Sequence, residues 1–310
     1  MTVTFDDVRT AAGRIAGRVH RTPVLTSSTL DAELGCSVFV KCENLQKVGA
    51  FKARGALNTV LSLSDEQAHR GVIAHSSGNH AAALAWAAQS RDIPCTVVMP
   101  QTASKIKVAA TQGYGAEVRF CKEGEREQAC AEVQKETGAT FVHPNADPRV
   151  IAGQGTVALE LLEEVSDLDA IIAPVGGGGL LCGSVIAARG AKPGVEVFGA
   201  EPELVDDAFR SLQSGERQPA VAHPKSCADG LLTCLGELNF SILREFGVEI
   251  VTVTEDAIVA ASRFYLECMK LVVEPSGATS AAGLRVLAER MVGQRVGVII
   301  SGGNTDFAWL

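Results

Sequence analysis

Lys52 stands in the run Gly49-Ala50-Phe51-Lys52-Ala53-Arg54-Gly55, an amine beside an aromatic ring and among small residues. A lysine amine attacks aldehydes once desolvation or a neighbouring cation lowers its pKa. The segment therefore offers a Schiff-base nucleophile, with Arg54 two residues on as a source of part of the field. The plainer reading is a solvated lysine near a helix start. Four consecutive glycines, Gly176, Gly177, Gly178 and Gly179, open onto the apolar Leu180-Leu181-Cys182-Gly183-Ser184-Val185-Ile186. A backbone without Cβ atoms at a helix N-terminus cradles a phosphate, whereas a simple turn does not require four residues that each lose so much entropy on ordering.

Ser76-Ser77-Gly78-Asn79-His80 gathers hydroxyls, an amide and an imidazole before the helical Ala81-Ala82-Ala83-Leu84-Ala85. One of these side chains caps the helix, but the set exceeds what one cap requires and suits a carboxylate ligand. Glu201, Asp206 and Asp207 lie close enough for two carboxylates and an intervening carbonyl to meet a hard cation such as Mg2+ or Ca2+. The alternative there is a solvated acidic helix start favoured by the dipole. The glycine run closes no G-x-G-x-x-G register, although Glu201 sits where a ribose-binding acid would, and no Walker A sequence occurs. The six histidines show no zinc spacing.

Short β-branched runs at 38–42, 72–75, 95–99, 117–121, 171–175, 195–200, 249–253 and 296–300 alternate with amphipathic segments, which predicts an α/β fold with largely parallel sheets. Runs such as Ala170-Ile171-Ile172-Ala173-Pro174-Val175 are apolar nearly throughout, as burial on both faces requires. Functional groups of open α/β folds collect at the carboxyl ends of strands. Residues 76–80, the glycine run and Ser301-Gly302-Gly303-Asn304 each follow such a strand, so three distant loops are expected to meet at one crevice. Residues 214–229 read as a long surface loop.

The 310 residues are 46% hydrophobic and 21% charged, enough for a large core and past the size at which one core usually divides into two. A net charge of −8 argues against nucleic-acid and anionic-membrane partners and leaves a small molecule. Nine cysteines (Cys36, Cys42, Cys95, Cys121, Cys130, Cys182, Cys227, Cys234 and Cys268) form no C-x-x-C pair and read as buried free thiols. With an odd count, no leader-like N-terminus and no long apolar span, a cytoplasmic protein is expected.

In order along the chain, Lys41-Cys42-Glu43-Asn44-Leu45-Gln46, the Lys52 run extended to Ala56, His75-Ser76-Ser77-Gly78-Asn79-His80, His143-Pro144-Asn145, Ile151-Ala152-Gly153-Gln154-Gly155-Thr156, Pro174-Val175 with the glycine run, and Ser301-Gly302-Gly303-Asn304 closely resemble the serine/threonine dehydratase and serine racemase family. These are fold-type II pyridoxal phosphate enzymes, tryptophan synthase β-like in fold, and the resemblance covers about residues 21–304. It implies two open α/β domains with mainly parallel sheets: a large one from 1–64 and 148–310, and a small one at 71–146 that closes over substrate and excludes water.

The same resemblance makes Lys52 the cofactor-bound lysine and proton-transfer base, with Phe51 beside the ring and Asn79 bonding the phenolic oxygen. Gly176, Gly177, Gly178 and Gly179 would hold the phosphate of pyridoxal 5'-phosphate. Ser301 would face the pyridine nitrogen, and a neutral hydroxyl there tempers the electron sink. Ser76, Ser77, Asn79 and His80 match the substrate-carboxylate loop, Ser77 also facing Lys52 across the cofactor, and Arg126 and Asn145 match positions near substrate. Glu201, Asp207 and the Val205 carbonyl match a divalent-cation site for Mg2+, or Ca2+ or Mn2+, which turns the balance at that cluster toward metal.

The implied reaction is dehydration of a small β-hydroxy amino acid (L-serine, L-threonine or 3-hydroxyaspartate) to a 2-oxo acid and ammonia, with racemisation as the alternative outcome. A homodimer is implied, and no isoleucine-responsive C-terminal domain is expected. For 3-hydroxyaspartate the second carboxylate needs a cation, for which Arg126 and Arg149 are candidates. β-Replacement of the cysteine-synthase type ranks lower, because those relatives carry Thr-Ser-Gly-Asn-Thr where this chain has Ser-Ser-Gly-Asn-His. A nicotinamide-dependent oxidoreductase lacks its fingerprint, and a silent ligand-binding protein would not be expected to keep every site residue intact.

Overall fold

Ten strands build two sheets in the computed structural model, which describes residues 3–103 and 105–310. They are β1 (Val24–Leu25), β2 (Ser37–Cys42), β3 (Val72–His75), β4 (Cys95–Pro100), β5 (Glu117–Cys121), β6 (Thr140–Phe141), β7 (Ala170–Pro174), β8 (Glu196–Pro202), β9 (Glu249–Val253) and β10 (Arg295–Ile300). The larger sheet runs β1-β2-β10-β7-β8-β9 and the smaller β5-β4-β3-β6. Every pairing is parallel except β1 with β2. The expected α/β class holds, and all eight expected strands are present to within two residues. The two that periodicity did not indicate, β1 and β6, are two residues long, too short to show a repeat of two.

Strand β7 is buried along its whole length, as its apolar run requires. Ile171 and Ala173 join a core cluster with Leu161, Leu181 and Val185 on one face. Ala170 and Ile172 join Ala278, Ala282 and Tyr265 on the other. The smaller sheet is covered in the same way, Val97 and Met99 packing with Leu84, and Ile73 and Val98 with Cys130 and Val133. Six cysteines are buried, Cys227 and Cys234 are half-buried and Cys268 is exposed; all nine are free thiols. The uniformly buried set expected from sequence is therefore corrected at three positions.

In the larger sheet the chain passes from β7 to β8 and β9 on one side, while β10 returns on the other. The strand order thus reverses between β7 and β10, and a crevice opens beyond their carboxyl ends. The glycine run follows β7 and Ser301 follows β10, so both loops flank it. The helix Lys52–Leu61 is fixed beside this crevice by backbone-close packing on the helix Pro148–Glu164. A Cβ at Gly153 would lie 2.6 Å from Gly55 Cα, and one at Gly183 2.5 Å from Gly155 N, which docks the helix Gly179–Ala191 on the same support. Residues 215–228 carry neither helix nor strand, as expected.

Candidate active site

Three backbone contacts tie the Lys52 segment to the loop after β10. Phe51 N donates to Ser301 O at 3.0 Å, Gly303 N to Gly49 O at 2.9 Å, and Ala50 forms a bridge with Gly302. Val48, just upstream, adopts φ 55°, a left-handed conformation costly for a β-branched residue, and its carbonyl accepts from Asn304 Nδ2 at 2.7 Å. Lys52 Nζ donates to Pro144 O at 2.7 Å and lies 5.1 Å from the Phe51 ring centre. The residue keeps some accessible surface, but its amine is enclosed, and burial lowers its pKa from 10.5 to about 8. Arg54 plays no part in this shift, contrary to the sequence-based expectation. Its guanidinium is spent on Glu43 at 2.7 Å and Glu160 at 2.7 Å.

Asn79 opens the helix Asn79–Gln89 and is held at both ends of its amide. Nδ2 donates to Glu274 Oε1 at 2.8 Å, and Oδ1 accepts from Asn304 Nδ2 at 2.9 Å, which leaves one amide hydrogen for a ligand. Glu274 is 4% exposed, and burial, with Asp229 adding, pushes its pKa up to about 8. Sequence reasoning missed it; the signal was an isolated acid between Val273 and Pro275 at a helix start. A cavity of about 790 Å3 adjoins this network, lined by Asn79, Glu274, Lys107, Asp229 and Trp309 among others. Ser76 accepts from Gly78 N at 3.3 Å within the loop, and Ser77 is half-buried. His80 Nε2 pairs with Val142 O at 3.1 Å while Nδ1 is buried and bare. Burial, with the charge of Lys52, drives its pKa down to about 3, so it stays neutral.

All four glycines of the run are buried. Gly178 has φ 86° and caps the helix Gly179–Ala191, while Gly177 N donates to Thr233 Oγ1 at 3.0 Å. A Cβ at Gly177 would fall 1.8 Å from Asn145 Nδ2, and one at Gly176 would meet Leu231 Cα at 2.9 Å. Close approach of these neighbours therefore joins ligand contact as a reason for glycine here. Asn239, wholly buried, donates from Nδ2 to Asn145 O and to Gly177 O, each at 2.9 Å. Asn145 follows Pro144, whose carbonyl holds Lys52, so one chain of bonds links the glycine loop to the amine. Thr233 and Asn239 carry no motif that sequence reading would notice. Ser301 is 3% exposed.

At the acidic cluster, Glu201 accepts from Ala208 N at 3.1 Å and Phe209 N at 2.7 Å. Burial pushes its pKa up to about 9, and burial also raises Asp207, which accepts from Leu235 N at 2.8 Å. Asp206 instead pairs with Arg210 at 2.7 Å. Val205 ends the short turn Glu203–Val205 beside them. Among the described residues no three His, Cys, Asp or Glu side chains gather at metal-binding range, so a cation reading rests on two carboxylates and the Val205 carbonyl. Of the two arginines considered for a second carboxylate, Arg149 is engaged by Asp147 at 2.6 Å and drops out. Arg126 begins the helix Arg126–Thr137 and is exposed.

A buried amine of depressed pKa, linked through Pro144 and Asn145 to a glycine-rich helix start at the switch point of a parallel sheet, defines an α/β site that offers an amine nucleophile and an anion-binding backbone loop. A family model described as pyridoxal-phosphate dependent enzyme matches residues 15–302, and the chain belongs to that family. It is 48% identical over 309 residues to the L-threo-3-hydroxyaspartate ammonia-lyase of Saccharomyces cerevisiae, covering 98% of this chain and 94% of that one. It is 46% identical over 305 residues to the beta-hydroxyaspartate dehydratase of Paracoccus denitrificans, covering 98% and 96%. The crystal structure of serine racemase from Dictyostelium discoideum superposes with a TM-score of 0.95 at 46% identity, covering 99% and 100% of the two chains.

Proposed function

We propose that the chain is a pyridoxal phosphate-dependent dehydratase of small β-hydroxy amino acids, releasing a 2-oxo acid and ammonia, with racemisation as a second outcome at the same carbon. The observation that carries this reading is the Lys52 amine, enclosed, of lowered pKa, held at the Pro144 carbonyl after β6 and on a segment bonded to the loop that follows β10. The residues fit the cofactor. Lys52 would hold its aldehyde, the glycine run its phosphate, Asn79 its phenolic oxygen through the free amide hydrogen, Ser301 its ring nitrogen, and Phe51 would lie beside the ring. Bound there, pyridoxal phosphate supplies an electron sink for the pair released at the substrate Cα.

In this reading Ser76, Asn79 and the main chain at His80 seat the substrate carboxylate, the one proton of the neutral His80 ring being given to Val142 O, and Asn145 lies near the substrate. Lys52 removes the α-proton, and the β-hydroxyl leaves as water. The unsaturated amine that remains takes water back as it gives up ammonia, so the net products are the 2-oxo acid and ammonia. Ser77 stands ready to return a proton to the opposite face, which yields the other enantiomer. The named relatives include both lyases and a racemase, in keeping with one carbanion and two fates. Ser77→Ala is the test. It should suppress racemisation of L-serine by about 10²-fold or more while elimination from the L-isomer falls much less, as keto-acid and chirality assays would measure. Equal losses would contradict the two-face arrangement.

The small sheet and its helices, about residues 71–146, would move over bound substrate against the lobe formed by the rest. Glu201, Asp207 and the Val205 carbonyl suit Mg2+ or Ca2+, because two buried carboxylates, whose pKa burial raises, and a backbone carbonyl offer hard oxygen donors within one short stretch of chain. On that basis, 100-fold excess of Mg2+ over its Kd should stabilise the protein by about 2.7 kcal/mol, read as a rise in melting temperature that Glu201→Gln abolishes. A melting temperature indifferent to both chelator and cation would remove the assignment. No helix among the described residues is long and apolar enough to cross a membrane, and the free thiols favour a reducing, cytoplasmic setting. A homodimer completes the proposal.

A further inference from the structure

Asn239, in the helix Glu237–Glu245, lies wholly buried between the glycine run and the turn that holds Lys52. Its Nδ2 gives one hydrogen to Gly177 O and the other to Asn145 O. Two carbonyl partners fix the orientation of the amide, because only its NH2 end can serve both. Its Oδ1 has no partner among the described residues, so the hydrogen bonding of this side chain is all donation. Residue 145 also touches the glycines directly, since a Cβ at Gly179 would lie 2.9 Å from Asn145 O. The turn is braced from within, His143 Nδ1 accepting from Asn145 N at 3.2 Å and from Ala146 N at 3.0 Å. Pro144, inside that turn, supplies the carbonyl that accepts from Lys52 Nζ at 2.7 Å. A neutral amine that gives one hydrogen to a fixed acceptor has its rotation stopped and its lone pair aimed, which is what attack on a held carbonyl needs.

We infer that Asn239 is a positioning residue that couples anion binding at the glycine run to the reactivity of Lys52. An anion seated on the loop fixes Gly177, Asn239 carries that constraint to Asn145, and the neighbouring Pro144 carbonyl sets the amine for attack on an aldehyde. The inference rests on the cofactor reading of the site and adds the link between its two ends. In the attack Nζ forms a bond to the aldehyde carbon and the C=O bond breaks. The oxygen leaves as water with the two amine hydrogens, so no oxidant or reductant is needed. Such coupling is reciprocal: the factor that the anion adds to aldehyde capture, the captured aldehyde adds to anion affinity. Thr233 holds the amide of the same glycine but has no bond to the Lys52 turn among the described residues, so it tunes anion affinity without carrying the coupling.

The test gives the full chain, freed of cofactor, the pieces of pyridoxal phosphate: 5-deoxypyridoxal, which has the aldehyde but no phosphate, and inorganic phosphate, with chloride at equal ionic strength as control. Visible absorbance follows aldehyde capture, and melting temperature follows phosphate binding. Saturating phosphate should tighten aldehyde capture by the wild type about 5- to 150-fold, the usual range of coupling between two sites. In Asn239→Ala that enhancement should shrink to about twofold or less. Thr233→Ala should need more phosphate to saturate and then show the wild-type enhancement. Should Asn239→Ala not fold, Asn239→Ser, which can give one hydrogen in place of two, should show an intermediate factor. An enhancement undiminished in the Asn239 variants, lost equally in Thr233→Ala, or absent from the wild type would overturn the inference. Capture of intact pyridoxal phosphate at Lys52, with Lys52→Ala as the blank, separates the two levels. Capture of the whole cofactor without enhancement between its pieces removes the coupling and leaves the cofactor reading standing, whereas no capture at all removes both.

Discussion

Lys52→Ala is expected to lose elimination and racemisation together, by more than the roughly 10²–10⁴-fold that removal of a general base alone costs, because the same amine holds the cofactor. The fold should survive. The lysine contributes one hydrogen bond, to Pro144 O, and its removal takes a group of unfavourable burial out of the interior. Keto-acid release, chirality of recovered substrate and far-UV circular dichroism measure the three quantities; turnover within tenfold of wild type would end the assignment. The lowered pKa also fixes a pH dependence. In cofactor-free protein the amine is neutral only above its folded pKa, so capture of pyridoxal phosphate should rise with pH and level off above about 8 rather than climb toward 10.5. The stability of that protein has the same sign. Between about 8 and 10.5 the unfolded chain binds a proton that the fold does not, so stability increases as pH rises through this window.

What could be read from sequence was the chemistry placed on strand ends. Residues 76–80, the glycine run and Ser301 each sit directly after an apolar strand, and parallel topology brings such ends together whatever the chain separation. What could not be read was direction and pairing. Arg54 looked like a neighbour of Lys52, but residues two apart on a helix lie about 200° around it, so a charge at i+2 faces away from the amine. Arg149 looked free, yet Asp147, at the cap of the same helix, takes it. Glu274, Thr233 and Asn239 act through partners 195, 56 and 62 residues away, and their residue types alone give no hint of those partners.

The misread arginine has its own large effect. Arg54→Met should destabilise the protein by about 3–5 kcal/mol, the range for removing one partner of a buried ion pair. Arg54 and Glu43 are both wholly buried, and the guanidinium bonds Glu43 through Nε and one terminal nitrogen, each at 2.7 Å. It also reaches Glu160 at 2.7 and 2.8 Å, while Lys41, likewise buried, bonds Glu160 at 2.9 Å and Thr22 O at 2.7 Å. Two cations and two carboxylates thus balance, and burial, which alone would lower the Arg54 pKa, is outweighed by the carboxylates, which raise it. Deleting Arg54 leaves Glu43 with only Thr22 and Gln46 as donors, too little for a charge without water. Arg54→Lys should recover little, because one ammonium cannot bond two carboxylates in the planar fork. Because the network joins β2, the Lys52 helix and the helix Pro148–Glu164, the loss should appear in equilibrium urea unfolding before it appears in the cofactor's affinity. A change below about 1 kcal/mol would mean that the cluster does not hold these elements together.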